Sequence, residues 1–160
     1  MNRYSLLSLI TILLVGSFVG CGGDPQSAVA MRRNSLSKLH DAYHSYFEQE
    51  KRSPSTAKEL ADFMKSQSPD DDVVATAVKR LEDLEILMSW DAAISPDQVE
   101  NNKYVLGFEA DCQGSGGYLV MGGGKVDHIS GRKFGSMTLF PKAESASDAQ
   151  TSGTVETTGN

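Results

Sequence analysis

The chain has 160 residues, a formal charge of −6 and 22% charged side chains, which is one domain's worth of sequence with tails to spare. An acidic chain of this kind has no electrostatic reason to seek nucleic acid, and its basic doublets (Arg32-Arg33, Lys51-Arg52, Lys79-Arg80, Arg132-Lys133) are interleaved with acids and read as solvated surface. With Cys21 and Cys112 as its 2 cysteines, the chain excludes a disulfide framework.

Residues 1–20 have the order of an export leader. Arg3 supplies the one charge before Asp24, and residues 6–19 form an apolar run broken only by Ser8, Thr11, Gly16 and Ser17. A signal-peptide core is about 7–15 residues long and a membrane-spanning helix needs about 20, so the run is short for a retained span. Val19-Gly20-Cys21 closes it and resembles the bacterial lipobox, with Phe18 where leucine is usual. The resemblance implies cleavage before Cys21, acylation of its thiol with palmitate-type chains, and an extracytoplasmic protein held to the membrane by them. Two or three such chains anchor stably where one does not. No Asp directly follows Cys21, which by the same resemblance favours an outer membrane or the periplasmic face. The alternative reading is a single-pass anchor with an uncleaved leader.

Residues 21–30, rich in Gly, Asp, Pro, Gln and Ser at their start, read as a lipid-anchored tether, and residues 31–140 as the globular domain. Helical periodicity sets in near Val29. Leu36, Leu39, Tyr43, Tyr46 and Phe47 recur at spacings of three and four and are expected to be the core face of a long helix that ends near Lys51, ahead of Pro54. Thr56 and Glu59 form a capping box for a second helix, with Thr56 accepting from the Glu59 amide and Glu59 reaching back to the Thr56 amide; its apolar face is Leu60, Phe63 and Met64. Asp70-Asp71-Asp72 opens a third helix, because carboxylates complement the positive end of a helix dipole, and Val73, Ala77, Leu81 and Leu84 are its expected inner face. A calcium loop would need alternating oxygen ligands, a Gly turn and a distal Glu, and that pattern is missing.

Residues 86–90 read as a short strand and residues 91–102 as a loop. Tyr104, Leu106 and Phe108 alternate with Val105, Gly107 and Glu109 as a second strand would. Residues 118–121 and 125–129 flank Gly122-Gly123-Gly124, a β-hairpin signal; a phosphate loop would need a helix and a Lys-Ser/Thr after the glycines. Residues 130–140 are expected to add a helical turn or a last short strand, and residues 141–160, dominated by small polar residues, to be a disordered tail. The fold class is therefore α+β, with a long N-terminal helix and two shorter ones packed on a small antiparallel sheet. Cys112, without an intrachain partner, is expected to be buried beside the strands, the alternative being a bridge between molecules.

Leu36-x-x-Leu39, Ala42-Tyr43-His44-Ser45-Tyr46, Pro54, Glu59-Leu60, Met88-Ser89-Trp90 and the hairpin Val120-Met121-Gly122-Gly123-Gly124-Lys125-Val126 together resemble small exported proteins of the pseudopilin-related family. The likeness spans residues 36–134 and implies a helix packed on an antiparallel sheet, in an envelope protein. Gly123 stands where that family usually has Asp, and the lipobox replaces the prepilin leader, so assembly through a shared N-terminal helix is not implied.

No Ser-centred elbow, second free thiol or spaced acid pair points to catalysis. The expectation is a non-enzymatic lipoprotein without a cofactor, a structural or interaction module that contacts an envelope protein. His40 and His44, four apart on the long helix, could share one metal, with Asp41 and His128 as further candidates. A metal- or small-ligand-binding lipoprotein is thus the competing expectation.

Overall fold

The computed structural model describes residues 25–95 and 98–143. Cys21, the leader, the first residues of the tether and the tail beyond residue 143 lie outside them. The protein is α+β: a helical layer lies on one face of a four-stranded antiparallel sheet of order β1-β2-β3-β4.

Helix α1 runs over Pro25–Glu50, so the tether expected to reach residue 30 is already helical from its fifth position. Proline suits the first helical position because the amide it lacks would have no intrahelical partner there. At the other end Lys51 takes a left-handed conformation (φ 56°), its amide bonds the Phe47 carbonyl at 2.9 Å, and Pro54 follows. Helix α2, Ala57–Gln67, is capped by Thr56, whose side chain accepts from the Glu59 amide. The return half of the expected box is different: the Glu59 carboxylate takes the amide and hydroxyl of Ser55 instead of the Thr56 amide. Helix α3, Asp72–Glu82, starts at the aspartate run, with Asp71 capping the amides of Val73 and Val74. Its buried face is Val74, Ala77, Val78 and Leu81; Val73 and Leu84 are exposed, contrary to expectation. The cap at Asp71 sets the phase so that the stripe begins one residue later, and Leu84, with φ 60°, has already left the helix.

Strands β1 (Ile86–Met88), β2 (Val105–Glu109), β3 (Gly117–Met121) and β4 (Val126–Ile129) follow. Strict alternation fails in β2, where all five residues are buried. Val105 pairs with Met121 but Gly107 pairs with Val120, so Leu106 is an extra residue in a β-bulge. The bulge turns Leu106 toward the helices, where it joins Leu36, Leu39, Tyr43, Ala77, Leu81 and Val120 in the larger core cluster. Phe108 faces the other way, with Val105, Cys112, Leu119, Met121 and Ile129. That second face is covered by the 3-10 turn Ala110–Gln113 and by helix α5, Gly131–Phe134, with Phe134 and Met137 packed on it. The β3–β4 return uses Gly124 at φ 87°, as a tight hairpin requires.

The stretch expected to be a loop contains a short helix α4, Gln98–Asn101, anchored where the fully buried Asn101 amide side chain exchanges two hydrogen bonds with the Ser95 backbone. After α5 the chain makes an isolated parallel bridge, Leu139 to Val105, and then an antiparallel one, Lys142 to Ala92. Residues 141–143, expected to belong to a disordered tail, are thus paired: Ala93 donates to the Pro141 carbonyl and Ala143 to that of Asp91. Among the described residues no helix is long and apolar enough to cross a membrane.

Candidate functional site

The candidate functional residues collect along α1. Leu36, Leu39 and Tyr43 are completely buried and Tyr46 nearly so, as their spacing predicts. Phe47, also expected in the core, is only half-buried. Tyr46 and Phe47 lie about 100° apart on the helix, and it is Tyr46 that points at α2, its ring edge-on to Phe63 at 5.3 Å. The Tyr43 hydroxyl donates to the Ser89 carbonyl at 2.9 Å and accepts from the Ala92 amide at 3.1 Å. On the other side of Ala92, the buried Ser53 hydroxyl donates to its carbonyl at 2.6 Å. Two buried hydroxyls therefore clamp one peptide backbone.

A turn away, the Glu59 carboxylate receives the Tyr46 hydroxyl and the Arg52 guanidinium. The Arg52 contact, helped by Tyr46 and Ser55, lowers the Glu59 pKa to about 2. Burial and the neighbouring carboxylate push the Tyr46 phenol up to about 12.

His40 and His44 are brought together, with ring centroids 4.4 Å apart, but not as a metal pair. His40 Nε2 lies 3.2 Å and His44 Nε2 2.9 Å from one carbonyl oxygen, that of Gly122. A carbonyl only accepts, so both rings present Nε2–H to it, and those nitrogens have no lone pair left for a cation. His40 Nδ1 meets Asp41 Oδ1 at 3.0 Å. His128 is exposed on β4 against the Tyr118 ring, which lies under Arg32, two turns of α1 away from His40. Among the described residues no three His, Cys, Asp or Glu side chains converge as a metal site would need. The imidazoles fasten helix to hairpin instead, and Gly124 lets His40 approach: a Cβ there would lie 3.0 Å from its Cε1. Burial first, and the charge of His40 second, hold His44 below its ordinary pKa.

A further ion-pair cluster, which the sequence reading does not single out, centres on Glu109. Glu109, at the end of β2, is buried, with Arg32 Nε and Arg80 Nη2 each donating to its Oε1 at 2.8 Å and the Tyr118 amide to its Oε2 at 2.8 Å. Burial alone would raise its pKa, but the two guanidinium contacts and the amide bring it below the ordinary value. Arg32 and Arg80, and likewise Arg52 on Glu59, are therefore structural ion-pair partners and not merely solvated doublets. A signal did exist: Arg32 occupies a position four before Leu36 on the apolar stripe. Cys112 is fully buried as expected, its thiol 3.3 Å from the Tyr118 carbonyl, and burial pushes its pKa up, which keeps it in the unreactive thiol form. The expected lipidation residue, Cys21, lies outside the described residues.

Compared with known proteins, the chain matches no family model, no curated protein and no solved structure.

Proposed function

We propose that the protein is a non-enzymatic, exported lipoprotein: a pseudopilin-like envelope module held to the membrane by acyl chains on Cys21, whose role is structural or adhesive toward an envelope protein. The observation that carries this reading is where α1 begins. Pro25 starts the helix four positions after Cys21, and the first fully buried residue is Ser35. Seven residues of helix, about 10 Å at roughly 1.5 Å per residue, thus precede Arg32, which fastens α1 to the buried Glu109 of the sheet. Val29 and Met31 are exposed on that segment. A helical strut of this kind would stand a domain off a bilayer with a defined direction, as a Gly/Ser tether would not.

The internal chemistry is in keeping with a structural role. Glu109, Glu59, His40 and His44 are each held by protein groups that fix one element to another. A metal-binding role for His40 and His44 has less support, because one carbonyl engages both Nε2–H groups.

The test is radiolabelled palmitate fed to cells that express the chain or its Cys21→Ser variant, with and without globomycin. Label on the unaltered protein, absent from the variant, and an uncleaved precursor under globomycin would support the reading. Equal labelling of both proteins, or none, would overturn it.

A further inference from the structure

An open cleft of about 810 Å³ lies where the end of α1 meets the Asp91–Ala93 segment and the paired residues 141–143. Its size is within the range of about 300–1,000 Å³ typical of small-ligand sites. The cleft is cationic in a chain of charge −6: Lys51, Arg52 and Lys142 line it, and Asp91 is the one acid among its described lining residues. Arg52 is shared with Glu59. Among the described residues no carboxylate lies within ion-pair distance of Lys51 or Lys142, although Lys79, Lys58, Lys65 and Lys103 elsewhere on the surface each have one. Apart from Ser53, whose hydroxyl is bonded to the Ala92 carbonyl, the other lining residues are apolar, with Phe47 and Ile94 the largest.

The wall is also built to stay in place. Ala92 is clamped by the Tyr43 and Ser53 hydroxyls, its neighbour Asp91 donates its amide to the Pro54 carbonyl at 3.1 Å, and Lys142 is held by the bridge to Ala92. Lys51 and Asp91 both adopt left-handed backbone conformations (φ 56° and 55°) that glycine would take more easily. For Lys51 the helix end explains a cation, since it complements the negative pole of α1. Nothing comparable explains Lys142, which sits on no helix.

We propose that this cleft binds a small soluble organic anion, with a carboxylate or phosphate group between Lys51, Arg52 and Lys142 and a short apolar portion against Phe47 and Ile94. Charge complementarity supplies orientation and the fixed apolar wall supplies contact area without ordering cost. The proposal is independent of the anchor. If the anchor is as proposed, the cleft lies at the far end of α1 from Cys21, which favours a soluble ligand over a lipid headgroup.

The full chain in non-ionic detergent is titrated at low salt with hexanoate, hexyl phosphate, inorganic phosphate and 1-hexanol, each against a detergent blank, and binding is read by amide chemical shifts and calorimetry. Hexanoate or hexyl phosphate should saturate with Kd at or below about 1 mM and shift the amides of Phe47, Ala92 and Ile94. The preferred member of that pair identifies the anion. Lys142→Gln should raise Kd at least about fivefold, and Lys51→Asn with Lys142→Gln at least about tenfold, both residues being surface side chains whose loss leaves the core intact. No saturable binding, equal binding of 1-hexanol, equal binding of inorganic phosphate and hexyl phosphate, or affinities unchanged in the variants would each overturn the proposal.

Discussion

Arg32, one turn before the buried stripe of α1, meets Glu109 at the end of β2 across 77 positions of sequence, with Nε 2.8 Å from the carboxylate. Arg80 reaches the same carboxylate from α3, so three elements that share no local sequence are joined at one buried charge. Removing the acid would leave two guanidiniums facing each other. Glu109→Ala is therefore expected to destabilise the fold by about 3–5 kcal/mol, as for other buried pairs broken from one side. Arg32 is more exposed, and Arg32→Ala should lose less than half of that. Chemical denaturation of the three proteins measures both, and a loss below about 1 kcal/mol for Glu109→Ala would mean that the triad is not holding the layers together.

The Tyr43 clamp separates packing from hydrogen bonding. Tyr43→Ala should cost about 3–5 kcal/mol for the lost ring. Tyr43→Phe keeps the ring but strands the Ala92 amide, and should cost about 1–3 kcal/mol. If Tyr43→Phe were neutral in equilibrium unfolding, the hydroxyl would not be fixing the cleft wall.

Four described groups, His44, Glu59, Glu109 and Asp71, have lowered pKa values and give the stability an acid limb of one sign; His44 acts alone near neutral pH, and the three carboxylates act together below it. The His44 pKa is lowered from 6.5, so the folded protein binds fewer protons than the unfolded chain. Its stabilisation is whole above the unfolded value and declines as pH falls through about 6.5 and below. Glu59, lowered from 4.5 to about 2, adds stability that is present above 4.5 and is lost as pH falls toward 2. Urea midpoints measured from pH 8 to pH 3 should fall in two stages. His44→Gln, which retains a donor for Gly122, should flatten the upper stage, and Glu59→Gln should remove only part of the lower, which Glu109 and Asp71 share. An upper stage that persists unchanged in His44→Gln would show the histidine assignment to be wrong.

Close approach makes Gly122 the most demanding glycine of the hairpin. A Cβ there would lie 2.1 Å from Phe140 Cε2 and 2.7 Å from the Asn101 carbonyl oxygen. Gly122→Ala should destabilise by about 1–3 kcal/mol, because Phe140 or the Asn101 backbone must give way, with amide shifts of the His40 and His44 turn that bonds the Gly122 carbonyl. A thermal unfolding midpoint equal to that of the unaltered protein would contradict the packing described.

Local chemistry was legible in the sequence and convergence was not. The stops and starts at Pro54, Thr56 and Asp71 were readable because each is set by residues within four positions of it. The long stripe of α1 and the glycine hairpin were readable for the same reason. The middle of the α3 face, Ala77 and Leu81, is buried as its spacing predicts, and only the ends differ, with Val74 buried in place of Val73 and Leu84 exposed beyond the helix. The bulge at Leu106 leaves no local signature, and it alone determines which core Leu106 and Phe108 enter. Likewise the Glu109 triad and the shared Gly122 acceptor depend on partners 29 to 82 positions away, which spacing rules do not reach. The histidines were singled out by a correct spacing, and the hairpin carbonyl that engages them is what turns a chelate pattern into a fastener.

Mass spectrometry of the N-terminal peptide from the native protein reads the state of residue 21 most directly. A lipid-anchored protein should yield a mature chain that begins at Cys21 and carries acyl chains, with no peptide from residues 1–20. Recovery of an intact, unmodified peptide running from Met1 through Cys21 would contradict it.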